Sequence, residues 1–247
     1  VTDPSFSYSG TTDFTITLSG NIYTCNAQGI FEFNPGTQTF SKLVCDRNGE
    51  KIIPSANQLI SFRSYLFSYA DGQFYLIDPL RKQIVDHIEE KKLPSPATQG
   101  STSHVTLLNG YDDIVYFRKG AYSYQYDIRN KQVKLWDLPE DPISRRKALD
   151  VIEMEKDSHG KFWLASFSNG LFCYNPENNS IVHIYSGNSQ LQSDYVTSIT
   201  LDTSDRLWIG SHDNIYLMNT QTLEIETTLT PAYGIGGAGY DVEYQSV

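Results

Sequence analysis

Cysteine is scarce in this sequence, which excludes a disulfide-framework domain and a domain built around a zinc site. Three of 247 residues are Cys (Cys25, Cys45 and Cys173), with no Cys-x-x-Cys pair and no Cys/His spacing typical of zinc ligands. An odd count does not form a disulfide framework. A Cys25–Cys45 bridge remains open, whereas Cys173 fits a buried strand position.

Long apolar runs and basic clusters are also missing. No apolar stretch approaches the roughly 18–20 residues that span a bilayer, and the start at Val1, without a hydrophobic leader, predicts a mature form or an excised piece. Acidic residues outnumber basic ones 29 to 19, which gives a net charge of −10. Such a field repels polyanions, and the densest basic run, residues 145–147, is short. We therefore expect no nucleic-acid partner.

Aromatic residues, in contrast, are abundant. They make up 13% of the chain, with 17 Tyr and 12 Phe, which is too much for a disordered segment. Together with frequent Thr, Ile and Val they suit a half-buried pleated surface. The composition predicts a β protein.

A five-fold repeat sets the predicted architecture. Its marker is an Asn or Asp, and successive markers are 44, 49, 48 and 44 residues apart: Asn34, Asp78, Asp127, Asn175 and Asn219. An aromatic residue lies three positions before each marker: Phe31, Tyr75, Tyr124, Phe172 and Tyr216. A large apolar residue lies one position before each marker, and an apolar residue six positions after it. Since side chains alternate along a strand and Asx side chains favour turns, the pattern predicts a recurring β-hairpin corner.

Four strands in about 45 residues is the size of a propeller blade. The sequence therefore predicts an all-β fold, a β-propeller of about five four-stranded antiparallel blades. The predicted blade bounds are 11–44, 58–88, 104–138, 149–186 and 195–230. Segments between blades, such as 45–57, are expected to be crossings, and residues 240–247 to begin a further inner strand. The chain would then be a single propeller region and a fragment of a larger, for example seven-bladed, ring.

The last two units resemble a known repeat. Residues 193–199, Asp202 and residues 206–211 (Arg-Leu-Trp-Ile-Gly-Ser) are similar to the two-component regulator propeller repeat. In that repeat a Val-x-x-Ile strand and an Asp-x-x-Gly turn precede a Leu-Trp-Ile-Gly-Thr strand. Residues 157–165 and 170–174 fit the same pattern, including its Gly-Leu-x-x-Tyr strand. The first three units depart from it, with Tyr23, Leu66 or Ile114 near the Trp position.

The resemblance implies the extracytoplasmic sensor region of a hybrid two-component regulator of the Bacteroides type. In that family the propellers precede a β-sandwich, a membrane helix and a histidine kinase. The implied function is a non-catalytic periplasmic module that binds a glycan fragment or similar nutrient and helps to signal across the membrane. The implied partners are an oligosaccharide, neighbouring propeller or sandwich domains of the same receptor, and a second copy in a homodimer.

The sequence offers no clear catalytic set. Adjacent carboxylates such as Glu89 and Glu90 fit solvated turns better than the cleft of a glycosidase or lyase, and the five His residues are scattered. We therefore predict no enzyme activity, no metal and no cofactor. A propeller lyase or glycosidase, and an interaction scaffold without a small ligand, are the alternatives. Two titratable groups within hydrogen-bond reach of each other would favour the enzyme.

Ligand contacts are expected in the loops between the second and third strands of the blades, because loops on a rigid scaffold carry function. The candidate ligand-binding residues are Arg118, Lys119, Ser168, Asn169, His212 and Asp213. Trp163 and Trp208 occupy the core-facing position of the repeat and are expected to pack inside.

Overall fold

Twenty-two β-strands form the described part of the chain. The computed structural model describes residues 13–54, 56–94, 104–212 and 214–230. In these residues the strands are joined by turns, by irregular segments and by one 3-10 turn at Glu90–Lys92, without any α-helix. The described residues form two compact units, one from 13–54, 56–94, 104–120 and 124–135 and the other from 121–123, 136–212 and 214–230. Asp213 and the predicted strand at 240–247 lie outside the described residues.

The first three sheets belong to the first unit, apart from Tyr122 and Ser123 at the start of β13. The first contains β1 (Asp13–Ile16), β2 (Ile22–Asn26), β3 (Gly29–Asn34) and β4 (Thr39–Lys42). After β5 (Cys45–Arg47) and β6 (Glu50–Ile52), the second contains β7 (Gln58–Phe62), β8 (Tyr65–Ala70), β9 (Gln73–Asp78) and β10 (Gln83–Glu89). The third contains β11 (Val105–Tyr111), β12 (Ile114–Lys119), β13 (Tyr122–Asp127) and β14 (Gln132–Leu135).

The second unit contains two further sheets of the same design. The fourth contains β15 (Val151–Lys156), β16 (Phe162–Ser166), β17 (Gly170–Asn175) and β18 (Ser180–Ile184). The fifth contains β19 (Val196–Leu201), β20 (Arg206–Ser211), β21 (Ile215–Asn219) and β22 (Ile225–Leu229). In all five sheets four strands pair antiparallel in chain order, which confirms the predicted all-β class and its blade-like sheets.

The Asx corner of the repeat is confirmed in every copy. Each marker residue accepts hydrogen bonds through Oδ1 from backbone N–H groups two or three residues later, and this closes the turn between the third and fourth strands. The donors are Gly36 and Thr37 to Asn34, Arg81 to Asp78, Arg129 and Asn130 to Asp127, Glu177 to Asn175, and Gln221 and Thr222 to Asn219. Local side-chain chemistry therefore explains why the hairpin recurs.

The predicted crossing at 45–57 is wrong in part, because it contains a β-hairpin. β5 and β6 pair antiparallel, and β5 pairs parallel to β10, which extends the second sheet to six strands. Asn48 (φ 53°) and Gly49 (φ 90°) form its turn. Two successive left-handed residues suit a two-residue hairpin, and an Asn-Gly pair supplies them at low cost.

An apolar core fills the space between the first and second sheets. It contains Tyr23, Cys25, Ile30, Leu43, Cys45, Ala56, Leu59, Leu66, Ile77 and Ile84. Cys25 and Cys45 are both buried and both free thiols, so the bridge left open by the sequence is not formed. Burial raises the pKa of Cys45 to about 11, which keeps this thiol protonated and unreactive. Cys173 is also buried and free, as expected.

In the second unit the core lies between the fourth and fifth sheets. Its fully buried members include Trp163, Ala165, Leu171, Val196, Leu207, Ile209, Tyr216 and Met218. The Trp163 Nε1–H donates to Asp157 Oδ2 (3.0 Å), which satisfies the one polar group of this indole. Trp208 is only half-buried, since it alternates with Leu207 and Ile209 along β20. The expected core packing therefore holds fully for Trp163 and in part for Trp208.

Neighbouring sheets are also joined by polar side chains on their first strands. Each accepts a hydrogen bond from the backbone of the first strand of the next sheet. The pairs are Leu59 N–H to Asp13 Oδ2 (2.9 Å), Leu107 N–H to Gln58 Oε1 (2.7 Å) and Ile199 N–H to Glu153 Oε2 (2.7 Å). Because a first strand lies at the end of its sheet, half of its backbone groups have no partner within that sheet. These bonds pair some of them and fix the register between sheets.

We expect Glu153→Gln to keep or raise the unfolding free energy at pH 7. Burial raises the pKa of Glu153 above its ordinary value, so the carboxylate is disfavoured, and an amide oxygen accepts the same N–H. The stability of the wild type relative to Glu153→Gln should improve as the pH falls through that raised pKa. Glu153→Ala should lose about 1–3 kcal/mol, because the Ile199 N–H loses its acceptor. Urea unfolding followed by circular dichroism measures all three proteins, and equal losses in both variants would contradict the proposed linkage.

The β5–β6 hairpin is tied to the second sheet by a histidine. Arg47 Nη2 lies 3.1 Å from His87 Nδ1, and His87 Nε2 bonds to Gln73 Oε1. Because a guanidinium only donates, Nδ1 is the acceptor and Nε2 carries the proton. Burial and the Arg47 charge lower the pKa of His87. The hairpin is therefore held by a neutral imidazole.

Acid should loosen this hairpin. The pKa of His87 is lowered in the folded protein, so the attachment is complete above the ordinary histidine value of about 6.5 and is lost as the pH falls through the lowered value. The protection factor of the Asp46 N–H, which donates to Lys82 O (2.7 Å), should fall over that range in hydrogen exchange. His87→Gln is the control and should remove this pH dependence, and an unchanged acid response in that variant would assign it to another group. Arg47→Gln should return the His87 pKa towards 6.5 in an NMR titration.

Candidate functional site

Five of the predicted ligand residues lie at second-to-third-strand turns within the described residues. Arg118 and Lys119 are the last residues of β12, so they belong to the strand rather than to the loop, and they lie in the first unit. Ser168 and Asn169 form the turn between β16 and β17 in the second unit, where His212 follows β20. The two units therefore contain separate candidate surfaces.

Arg118 and Lys119 both bind other residues of the first unit. The Arg118 guanidinium donates to Gly120 O (2.8 Å) and to Thr106 Oγ1 (3.0 Å), which joins the end of β12 to β11. Lys119 Nζ lies 3.0 Å from Glu90 Oε1, and both side chains are more than four-fifths buried. Both cations therefore stabilise the first unit through these contacts.

Glu90 and Lys119 line a polar cleft of about 400 Å³ with Asp71, Gly72, Gln73, Glu89 and Lys91. The Tyr69 hydroxyl donates to Glu90 Oε2, so each oxygen of this carboxylate accepts a hydrogen bond. Burial and the neighbouring Glu90 raise the pKa of Tyr69, and the phenol keeps its proton at neutral pH. Titratable groups do meet here, but a general base needs a lone pair directed at the substrate. In this cluster both Glu90 oxygens already accept from Tyr69 and Lys119, so no Glu90 oxygen is directed at a substrate.

Asn169 connects three elements of the second unit. Its side-chain Oδ1 accepts from Arg146 Nη1 (2.7 Å), and its backbone O accepts from His183 Nε2 (2.7 Å). Arg146 lies on the segment that leads into the fourth sheet, and His183 lies on β18. The side chain and the backbone of Asn169, one of the predicted ligand residues, are therefore both held by hydrogen bonds.

His183 is fully buried and satisfied on both ring nitrogens. Since a backbone carbonyl only accepts, Nε2 carries the proton, and Ser144 Oγ, 3.0 Å from Nδ1, donates to the ring. The rings of Phe172 and Tyr185 stack on its two faces at 4.4 and 4.5 Å. Although a Ser–His contact can activate a nucleophile, this imidazole is only 1% exposed. Its role in the structure is to hold the Ser144 loop.

Asp141 shapes that loop. Its carboxylate accepts the N–H groups of Ile143 (3.1 Å), Ser144 (2.6 Å) and His183 (3.3 Å). Burial alone would raise the pKa of Asp141, but the hydrogen bonds from Ser144 and His183 lower it overall, so the group stays ionised. The carboxylate bonds to the backbone of His183 and not to its ring, so the three residues do not form a catalytic triad. They give Arg146 a defined position.

Two exposed aromatic rings lie beside these turns. Phe167 and Tyr195 are each 47% exposed, and their ring centroids are 5.9 Å apart at an interplanar angle of 79°. We call this pair the aromatic platform. The Tyr195 carbonyl accepts from the His212 N–H (3.2 Å), so the platform connects the turn containing Asn169 to the turn containing His212. Adjacent exposed apolar rings are typical of binding surfaces.

The backbone under the platform is ordered by close contacts. The Gly170 N–H donates to Asp194 O (2.9 Å), and the Gln192 N–H donates to the Tyr216 hydroxyl (3.1 Å). Gly170 has φ +69°, and a Cβ there would lie 2.4 Å from Ile184 O, so glycine is required. Both rings therefore extend from backbone that is fixed before any ligand arrives.

Three of the predicted ligand residues, Ser168, Asn169 and His212, lie on this surface, but the repeat pattern does not predict the platform itself. Phe167 directly follows β16, and Tyr195 directly precedes β19, so both large aromatic residues fall just outside strands. Turn positions usually carry small or polar residues. An aromatic side chain there, beside the better matched repeats, is the signal that could have found the site.

The described ranges contain no group of three or more His, Cys, Asp and Glu side chains placed to hold a metal ion. In the same part of the chain, no helix has both the length and the apolar character needed to cross a membrane.

Comparison with known sequences supports the resemblance seen in the repeat. Residues 190–213 match the family model described as the two component regulator propeller. This segment contains Tyr195, β19, β20 and His212. Comparison with curated protein sequences gives no significant match.

Solved structures share the fold. The extracellular domain of BT4673 from B. thetaiotaomicron, assigned to a hybrid two component system, gives a TM-score of 0.64 at 16% identity, covering 93% of this chain and 29% of that chain. The corresponding domain of BT3049 from B. thetaiotaomicron gives a TM-score of 0.62 at 13% identity, covering 91% of this chain and 31% of that chain. Virginiamycin B lyase from Staphylococcus aureus gives a TM-score of 0.62 at 15% identity, covering 90% of this chain and 70% of that chain. This chain thus spans less than a third of either extracellular domain, and it is similar to the two component regulator propeller in repeat and in fold.

Proposed function

We propose that this chain is a non-catalytic sensor module in the extracytoplasmic part of a two-component receptor. Its five sheets form one propeller region there, and the module binds a ligand and helps to pass the signal across the membrane. The match of residues 190–213 to the regulator propeller supports this assignment. The fold shared with extracellular domains of hybrid two component systems agrees with it.

The observation that carries the proposal is the surface at the second-to-third-strand turns of the second unit. There the aromatic platform lies beside Ser168, Asn169 and His212. Apolar rings with a few placed polar groups are typical of small-molecule sites. Aromatic faces can stack on sugar rings while amide, hydroxyl and imidazole groups bind sugar hydroxyls. We therefore take a glycan fragment as the ligand class.

The partners follow from the size of the similar structures. The extracellular domains of BT4673 and BT3049 are more than three times as long as the part that this chain matches. Neighbouring propeller or sandwich domains of one periplasmic receptor are therefore protein partners in this proposal. The resemblance to the regulator family adds a second copy of the chain. Receptor domains joined in this way transmit a signal when ligand changes the relative population of two arrangements.

A propeller lyase is the second candidate, and the Tyr69–Glu90–Lys119 cluster is the observation that favours it. The fold likeness to virginiamycin B lyase agrees with this candidate. However, both Glu90 oxygens already accept hydrogen bonds, and the Tyr69 pKa is raised. A lyase needs a base that can take a proton from its substrate. We therefore prefer the sensor.

Calorimetry and product analysis on one sample test the proposal. With a panel of neutral and acidic oligosaccharides at neutral pH, we expect saturable heats for at least one member and no new reducing ends or unsaturated products after prolonged incubation. If the ligand binds at the surface of the second unit, Asn169→Ala should weaken this binding. The variant lacks the side-chain amide that contacts Arg146 and that could bind a sugar hydroxyl.

Glu90→Gln is the matched control, since it alters the cleft of the first unit only. It should bind as the wild type does. If the wild type releases product and Glu90→Gln does not, the lyase is established and the sensor proposal is wrong. If the wild type binds no saccharide in the panel, the sensor proposal is also wrong.

A further inference from the structure

We infer that the aromatic platform is the ligand subsite and that it takes a sugar ring bearing a carboxylate, as in a uronic acid. The inference rests on the proposed function and adds the two rings as the stacking surface and the chemical class of the ligand. It depends on the hydrogen bond of Arg146 to Asn169, a residue of the turn that also contains Phe167. The repeat pattern does not predict this bond.

The platform suits a saturated ring. Phe167 and Tyr195 meet at 79° with centroids 5.9 Å apart, so the planes of the two half-exposed rings are nearly perpendicular. A flat aromatic ligand could stack on only one of them. A pyranose chair can place its C–H face on one ring and its edge against the other, which buries apolar area from both partners.

Arg146 supplies the charge. Its Nη1 donates to Asn169 Oδ1 (2.7 Å), and Asn169 is only two residues from Phe167 along a tight turn. That bond uses one of the five N–H donors of a guanidinium. The planar edge of a guanidinium matches the two oxygens of a carboxylate, which a neutral hydroxymethyl group cannot replace.

The position of Arg146 is fixed before ligand binds. The Arg146 carbonyl accepts from the Asp141 N–H (2.8 Å), Asp141 orders the loop through Ser144, and Ser144 bonds to the buried His183. These contacts hold the backbone of Arg146, and the exposed side chain is held by its bond to Asn169, so part of the ordering entropy is lost before ligand binds.

The test compares trigalacturonate with galactotriose, its neutral counterpart, by calorimetry at low and moderate salt. Wild type should bind trigalacturonate about tenfold or more tightly than galactotriose, and added salt should reduce the difference. Phe167→Ala and Tyr195→Ala should each weaken both ligands by about fivefold or more. Arg146→Gln should lower the affinity for trigalacturonate about tenfold and the affinity for galactotriose much less, so that the preference for the acid is lost.

Two exposed residues of the first unit provide matched controls. Phe14, which is 68% exposed, gives Phe14→Ala as the control for loss of an aromatic ring. Arg81, whose side chain is 79% exposed, gives Arg81→Gln as the control for loss of one positive charge. Both should bind as the wild type does, and circular dichroism should show the same fold for all variants.

The outcomes separate the two proposals. Unchanged binding in Phe167→Ala and Tyr195→Ala would overturn the subsite and leave the sensor function in place. Equal affinity of the wild type for both trisaccharides, with no effect of Arg146→Gln, would overturn the acidic class. No binding of any saccharide by the wild type would overturn the subsite and the proposed function together.

Discussion

The structure depends on how the first strand of each sheet satisfies its unpaired backbone. A four-stranded sheet cannot bury both of its faces alone, and its end strand offers N–H groups without a ladder partner. Asp13, Gln58 and Glu153 accept these N–H groups from the following sheet, at sequence separations of 46, 49 and 46 residues. Those separations are one repeat long. The repeat therefore encodes both the sheet and its attachment to the next one.

This attachment determines where the candidate site forms in the second unit. Because Glu153 fixes the fourth and fifth sheets in register, the turn after β16 and the turn after β20 lie near the segment that enters β19. Tyr195 is on that segment and contacts both turns, through the Phe167 ring and the His212 N–H. A change in ligand contact at Tyr195 would thus act on both sheets. A sensor needs such a link between its binding surface and its core.

Features governed by local chemistry were predictable, and contacts between distant loops were not. The Asx corners follow from one side chain bonding its own turn, so five marker residues were enough to identify them. The β5–β6 hairpin has the same kind of signal in Asn48-Gly49, but it interrupts the repeat, so the repeat pattern predicts a crossing there. The bonds of Arg146 to Asn169 and of Lys119 to Glu90 join segments with no shared pattern. Only the folded chain reveals them.

The buried polar network around His183 argues that this surface is more than a by-product of folding. An apolar residue in place of His183 would pack at lower cost, since buried polar groups contribute to stability only when every partner is in place. Here Asp141, Ser144 and Asn169 are all in place, and the result is an ordered loop whose Arg146 points to the turn beside Phe167. Such a complete network specifies one geometry of the loop. It holds Arg146 in hydrogen-bond contact with the turn that contains Phe167.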